Sequence, residues 1–228
     1  MIRHLKVARD TAVKVRTRAM LALKAIIVGA PPAALRERLE AIAGKTALIR
    51  HPAALRPGPL TSTTASAKAS LRTIGRRWLD LDAEARSHNA HLEKLIEQCA
   101  PAMVEVQGIG IGTAAEMLVL VGRSPERVHS EAAFPKLCGA CPIPASSGIT
   151  SRHRLNRGGH RQANAALHRV VVVRMRAHQP TVDYVRRRTA EGKDKPEIIR
   201  CLERFVAREI FGYLRRAPRA ACPEQTAA

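Results

Sequence analysis

Two adjacent serines, Ser146 and Ser147, stand in the stretch PIPASSGITSRHRLNRGGHR, in which arginines and histidines follow with little acid nearby. A serine hydroxyl attacks a phosphodiester only if a base removes its proton and cations neutralise the charge on the phosphoryl group. Arginine suits the second role because its guanidinium donates two hydrogen bonds to a phosphate. The local sequence does not identify the base, and a solvated Ser-Gly turn is the alternative interpretation. The candidate phosphate-binding residues are Arg152, Arg154, Arg157 and Arg161.

Three glycines, Gly108, Gly110 and Gly112, lie in the segment MVEVQGIGIGTAAEMLVLVG. Glycine lets the backbone approach a phosphate closely, and a following helix presents free N–H groups and the positive end of its dipole. The pattern resembles a helix-hairpin-helix motif, which would hold the DNA backbone without reading bases. A dinucleotide-binding loop would need a preceding β-strand and a βαβ unit, and neither is visible. A plain glycine-rich connection between helices is the remaining alternative.

The five cysteines do not indicate a metal site. Cys138 and Cys141 form a CxxC pair, but a structural zinc site needs four ligands, normally from two such pairs, and only His129 and His153 are outlying candidates. We interpret both thiols as small buried residues, and we predict no metal and no cofactor in this chain. The sequence shows no secretory leader and no apolar run long enough to span a bilayer. We therefore expect a cytoplasmic protein with reduced thiols and no membrane contact.

The formal net charge is +20 at pH 7, from 39 Lys and Arg against 19 Asp and Glu. Such an excess repels itself unless a polyanion is present, and nucleic acid is the expected polyanion. We expect DNA as the partner and association with the bacterial nucleoid. A ribosome-associated basic protein is the weaker alternative, because it depends on charge alone.

Only 3% of the residues are aromatic and 46% are hydrophobic, so the core must be aliphatic, which favours helices. We predict an all-α fold in which a helical linker with a coiled coil precedes a compact helical domain containing the helix-hairpin-helix. Asp194 and Glu197 form a capping box before the last helix, and HPAALRPGPLTSTT is predicted as a loop. The predicted helices cover 4–28, the segment PPAALRERLEAIAG closed by Gly44, 62–98, 130–138, 161–177, 181–190 and 195–215.

The long helix 62–98 carries an apolar seam whose steps alternate between three and four residues. This spacing is typical of a coiled coil, formed either within the chain or between two chains. We expect it to make the protein a homo-oligomer. The seam consists of Leu71, Ile74, Trp78, Leu81, Ala85, His88, Leu92 and Leu95.

Three segments together carry a family resemblance: GIGIGTAAEML, FPKLCGACPIPASSGITSRHRLNRGGHRQANAALHR and YVRRRTAEGKDKPEIIRCLERFVAREIF. They are similar to the C-terminal transposase domain of the Piv-type insertion-sequence transposases, the DEDD recombinases, some members of which are guided by a bridge RNA. The resemblance covers about residues 100 to 216, and residues 1 to 98 look like the linker of that family. It implies the domains 1–99 (linker, seam 71–95), 100–216 (transposase C-terminal domain) and 217–228 (disordered tail).

The resemblance implies a DNA-binding enzyme that transposes DNA through a covalent phosphoserine link. Ser146 matches the nucleophilic position best, and Ser147 is the second candidate. The other half of the family's proteins is an RNase H-like domain whose four acidic residues bind divalent metal, and Asp10, Asp80 and Asp82 match none of its motifs. We therefore expect a truncated transposase, inactive alone, for which Mg²⁺ matters only together with the missing half. A guide RNA is a further expected partner. The alternative is a non-catalytic protein that binds DNA, RNA or a full-length transposase.

Overall fold

The computed structural model describes residues 1–29, 33–122, 128, 130–144, 153–154, 156 and 158–216. The described residues form an all-α fold, as predicted, with one antiparallel pair of two-residue strands, β1 (Ile143–Pro144) and β2 (His153–Arg154). The helices are α1 (Ile2–Gly29), α2 (Ala33–Glu40), α3 (Lys45–Ala53), α4 (Thr63–Cys99), α5 (Pro101–Val104), α6 (Ile111–Val121), α7 (Ala133–Leu137), α8 (Arg161–Ala177), α9 (Gln179–Ala190) and α10 (Lys195–Arg216).

The predicted helix boundaries lie within two residues of the observed ones, except around Gly44 and in the helix predicted at 130–138, which spans Ala133–Leu137. The second helix ends at Glu40, so Gly44 does not close it. Instead Gly44 adopts φ +93° and precedes α3, where its carbonyl accepts a hydrogen bond from the N–H of Leu48. The predicted loop after residue 50 is partly helical, because Pro52 lies in the last turn of α3. The predicted capping interaction is present in one direction, since the carboxylate of Asp194 accepts the N–H of Glu197 at 2.7 Å.

The chain forms two compact units. One comprises residues 7–90, and the other comprises residues 1–6 together with residue 91 onwards. The two long helices α1 and α4 each contribute to both units.

The core of the 7–90 unit is aliphatic, as the composition predicts. Two clusters of buried side chains make it up, one around Leu23, Leu39 and Leu71 and the other around Ile49 and Trp78. The backbones of α3 and α4 approach closely at Gly75, where a Cβ would lie 2.9 Å from the backbone nitrogen of Ala53. Any larger residue at position 75 would therefore push these helices apart.

Residues of the predicted seam are covered by their own chain. Leu71 is fully buried and Trp78 is 6% exposed, both against helices of the same unit. Packing within the chain is one of the two arrangements that the spacing allows. Leu71 and Trp78 therefore leave little surface for contact with a second chain.

The other unit is built around α8, which packs against α6, α9 and α10. Val170 and Val171 are fully buried at its centre. Phe134 of α7 and Phe211 of α10 stack with ring centroids 5.8 Å apart. This packing fixes the ends of the helices that flank the serine-containing stretch. None of the helices in the described ranges is long and apolar enough to span a membrane.

Candidate nucleic-acid interface

The serine-containing stretch connects β1 to β2. Ser146 and Ser147, together with Arg152 and Arg157, lie outside the described residues. The structure does describe both ends of this loop: Ile143 pairs with Arg154, and Pro144 pairs with His153. Both predicted nucleophiles therefore belong to a connection whose ends are held together by strand pairing.

A second contact closes the base of the loop, because Gly139 and Gly159 meet backbone to backbone. A Cβ at Gly159 would lie 2.2 Å from the backbone nitrogen and Cα of Gly139, closer than any real Cβ contact. Gly139 also has φ +73°, which favours glycine. The N–H of His160 donates to the carbonyl of Leu137 at 2.8 Å. The segment 139–159 thus leaves and re-enters the helical core at one point, between α7 and α8.

A buried carboxylate lies beside this base. Glu116 of α6 is 3% exposed, and its Oε2 lies 2.5 Å from the ammonium of Lys6. Its Oε1 lies 3.6 Å from Nδ1 of His160. That ring nitrogen also accepts the N–H of Ala163 at 3.3 Å and so caps α8. Because an accepting Nδ1 carries no proton, it donates no hydrogen bond to Glu116, whose Oε1 lies beyond hydrogen-bond distance.

The glycine segment forms a turn between a helix of 4 residues, α5, and a helix of 11 residues, α6. Gly108 has φ +88°, and a Cβ there would lie 3.2 Å from Cγ of Arg174 and 3.4 Å from Cγ1 of Val170. Gly110 is the N-cap of α6 and has open space where a Cβ would be. Gly112 follows in the first turn, where helix geometry leaves N–H groups without an intrahelical partner. The helix-hairpin-helix assignment stays a prediction.

Arg174 holds this turn against the core. Its side chain is buried, and its Nε donates to the carbonyl of Gln107 at 2.8 Å. Its two terminal nitrogens donate to Glu209 of α10 at 2.7 and 3.2 Å. One guanidinium therefore joins the glycine turn, α8 and α10.

The structure separates the glycine turn from the serine loop. The loop ends where α8 begins, and Arg161 is the exposed first residue of that helix. Gly108 instead contacts Val170, about 14 Å farther along the axis of α8 at 1.5 Å per residue. Arg154 is exposed on β2, next to the loop. Arg154 and Arg161 therefore both follow the serine loop in sequence, Arg154 at its end in β2 and Arg161 at the start of α8, whereas the glycines form a distinct candidate contact.

The CxxC pair shows no metal-binding geometry. Burial raises the pKa of the Cys138 thiol to about 12, so it stays protonated at neutral pH. Within the described ranges no three His, Cys, Asp or Glu side chains lie close enough together to hold a metal ion. Cys138 and Cys141 are both free thiols.

Sequence reasoning missed Glu116 and Arg174. A signal exists for Glu116, because it is the lone charged residue in the apolar helix IGTAAEMLVLV. A carboxylate in such a helix needs a buried cation, and Lys6 supplies one. Arg174 gives a weaker signal, because other arginines, such as Arg169 and Arg176, lie in the same helix.

Two comparisons with known proteins show what this chain is similar to. Residues 100–186 match the model of the family described as "Transposase IS116/IS110/IS902 family". A Streptomyces coelicolor protein described as "Insertion element IS110 uncharacterized 43.6 kDa protein" is 30% identical over 163 residues, which cover 69% of this chain. The chain spans 38% of the length of that relative. Both comparisons support the transposase family, and residues 100–186 are the part of the chain that resembles its transposase domain.

Proposed function

We propose that this chain is the DNA-contacting, serine-bearing part of a transposase. The closed loop base carries the proposal: strand pairing and the contact between Gly139 and Gly159 present the stretch with Ser146 and Ser147 from the helical core. Reactive groups are commonly carried on loops that a rigid scaffold positions. The match of residues 100–186 to a transposase family gives the reaction class.

In the proposed reaction the Oγ of Ser146 forms a bond to a DNA phosphorus, and one phosphorus–oxygen bond to deoxyribose breaks. The serine proton passes to a base, and the leaving oxygen takes up a proton. Arg154 in β2 and Arg161 at the start of α8 follow the loop, and we propose that their guanidinium groups neutralise the phosphoryl oxygens. Ser147 is the second candidate nucleophile, and Arg152 and Arg157 are further candidate phosphate ligands.

We propose that one DNA duplex contacts both the serine loop and the glycine turn. The serine loop and the glycine turn meet α8 about 14 Å apart at 1.5 Å per residue. That distance corresponds to about four base-pair steps of B-DNA at 3.4 Å each. We propose that the turn at Gly108, Gly110 and Gly112 holds the backbone of the DNA whose phosphate the serine attacks.

The described residues do not provide the metal site that the family resemblance implies, since they hold no cluster of suitable ligands. No step here is assigned to a metal. We propose that a partner segment with an RNase H-like fold completes the reaction, as the resemblance implies. A guide RNA and self-association of the chain belong to the same proposal.

The test is a fusion of an RNase H-like domain from a related transposase to the N-terminus of this chain. We expect a covalent protein–DNA adduct on a denaturing gel with labelled DNA. Ser146→Ala should abolish the adduct, while DNA affinity stays nearly unchanged because one hydroxyl contributes little beside many phosphate contacts. Ser151→Ala is the matched control and should leave the adduct intact.

Other outcomes of this test are equally informative. An adduct that survives Ser146→Ala but disappears with Ser147→Ala would move the nucleophile by one residue. An adduct that survives both changes would leave the serines with a structural role. If the fusion binds DNA and never forms an adduct, the second candidate applies, a non-catalytic nucleic-acid-binding protein, which the +20 charge favours.

A further inference from the structure

A cleft of about 580 Å³ lies between α9 and α10. Neither the serine loop nor the glycine turn contributes to its walls among the described residues. Pro142 lines one end, directly before β1. The cleft therefore opens beside the base of the serine loop.

The walls of the cleft are strongly basic. Six cationic side chains line it, and Glu197 is the acidic residue among the lining side chains. Glu191 neutralises part of this charge, with an oxygen 2.5 Å from Arg188 and another 3.8 Å from Arg187. The six cations are Arg187, Arg188, Lys193, Arg200, Arg204 and Arg208.

Half of these cations lack a carboxylate partner within the described part of the chain. Arg208 pairs with Glu131. No described carboxylate oxygen lies within 4.0 Å of the charged nitrogens of Lys193, Arg200 or Arg204. Unpaired cations gathered in a concave surface attract and retain anions.

The cleft also contains exposed aromatic surface, which is scarce in this protein. Aromatic residues make up 3% of the chain. Two of the three phenylalanines, Phe134 and Phe211, are buried and stack on each other. Phe205 is instead 49% exposed, and its ring meets that of Tyr184 edge to face at 5.6 Å. The guanidinium of Arg187 lies over the Tyr184 ring at 5.4 Å.

This combination selects a particular kind of ligand. Phosphates bind arginine and lysine, and unstacked bases stack on aromatic rings and on guanidinium planes. The bases of an intact duplex are stacked on each other, so they cannot stack on Phe205. The cleft volume lies within the usual range for small-ligand sites and can hold a nucleotide.

We propose that the cleft between α9 and α10 binds an unpaired segment of nucleic acid. Arg200, Arg204 and Lys193 hold its phosphates, and one base stacks on Phe205. The inference depends on the proposed function, since the chain must act on nucleic acid. The proposal adds a binding site beside the serine loop for an unpaired strand. That strand is either DNA unpaired near the attacked phosphate or a bound RNA.

Fluorescence anisotropy with the full chain tests the proposal. The probes are labelled single-stranded DNA and RNA of about 16 nucleotides, the upper end of the site size of a single-stranded-binding fold. A duplex of the same length and an abasic strand complete the set. Phe205→Ala should weaken single-strand binding by roughly five- to 100-fold, the range measured for loss of a stacked base. The affinities for the duplex and for the abasic strand should change less than about twofold, because neither probe offers an unstacked base to the Phe205 ring.

Two further variants serve as controls. Phe205→Trp should restore single-strand affinity, because an indole stacks at least as well. Arg200→Gln with Arg204→Gln removes two cleft charges, whereas Arg18→Gln with Lys24→Gln removes two exposed charges from α1. The double substitution in the cleft should weaken single-strand binding at least tenfold more than the double substitution in α1. Thermal unfolding by circular dichroism shows whether each variant is folded.

The outcomes separate this inference from the proposed function. If the unmutated chain binds none of the probes, the proposed function fails. If it binds them and the cleft variants behave like the α1 pair, the cleft proposal alone is overturned. Equal loss for duplex and single strand would also overturn it, since the cleft would then act only on phosphates. A loss of affinity confined to the DNA probe or to the RNA probe shows which nucleic acid the cleft binds.

Discussion

At the residue scale, two ion pairs hold the candidate interface, one buried on both sides and one with a buried arginine and a partly exposed glutamate. Glu116 is enclosed with Lys6 beside the loop base, and Arg174 ties the glycine turn to α10 through Glu209. Removing one member of such a pair is costly because the other is left buried without its partner. Both pairs act on the backbone segments that should contact DNA.

Arg174→Ala should destabilise the 91–216 region by about 3 kcal/mol, because Gln107 and Glu209 lose three hydrogen bonds from a buried guanidinium. Arg174→Lys should recover part of this loss, since it keeps the charge but cannot bind bidentately. Denaturant unfolding followed by circular dichroism measures the change. Arg176→Ala, two residues along the same helix and exposed, is the control. Equal midpoints for Arg174→Ala and Arg176→Ala would contradict the assigned role.

Residue-level chemistry was only partly predictable. The run of arginines and histidines after Ser147 predicts a phosphate site, and this stays a prediction; the structure describes Arg154 in β2 and Arg161 at the start of α8. The contact between Gly139 and Gly159 was not predictable, because local periodicity does not show which distant backbones touch. Glu116 was recognisable as a lone acid in an apolar helix, but Lys6, its partner, is remote in the sequence.

At the element scale, hydrophobic periodicity predicted the long helices because each buries one continuous face. The spacing in α4 also predicted a packed seam, and the structure covers that seam at Leu71 and Trp78 from within the chain. Hydrophobic periodicity could not predict α3, because Pro52 and the nearby Pro and Gly residues are typical of a loop. Pro52 is buried in the last turn of α3, and α3 packs closely on α4 at Gly75.

Leu71→Ala should destabilise the 7–90 unit by about 2 to 5 kcal/mol, because it leaves a cavity in a fully buried cluster. Trp78 is the only tryptophan in the sequence, so its fluorescence follows unfolding of this unit. Leu21→Ala, at a side chain of α1 that is 63% exposed, should change stability by less than about 0.5 kcal/mol.

Sedimentation of the unmutated chain and of Leu71→Ala gives the second measurement at this scale. If Leu71 packs only within its own chain, the mass of the folded protein should not depend on this substitution. Dissociation of an oligomer by Leu71→Ala, without loss of helical signal, would instead show that the seam joins two chains.

At the scale of the whole molecule, charge dominates the expected behaviour. The chain carries +20, and some of its acidic side chains are engaged in ion pairs such as those of Asp82 with Arg16 and Arg86. Burial would raise the pKa of Asp82, but hydrogen bonds and charges from Arg86 and Arg16 outweigh it and hold the pKa below its usual value. These acidic side chains are paired within the fold, whereas many arginines of α8 to α10 are exposed and can contact a partner.

Affinity for duplex DNA should therefore depend steeply on salt. If six or more phosphates are neutralised, the logarithm of the association constant should fall against the logarithm of salt concentration with a slope of roughly −5 or steeper. Titrations between about 50 and 200 mM salt on two unrelated sequences measure this slope. The two curves should nearly coincide, because phosphate contacts carry no sequence information. A slope near zero, or a large difference between the sequences, would show that the basic surface is not a backbone-binding surface.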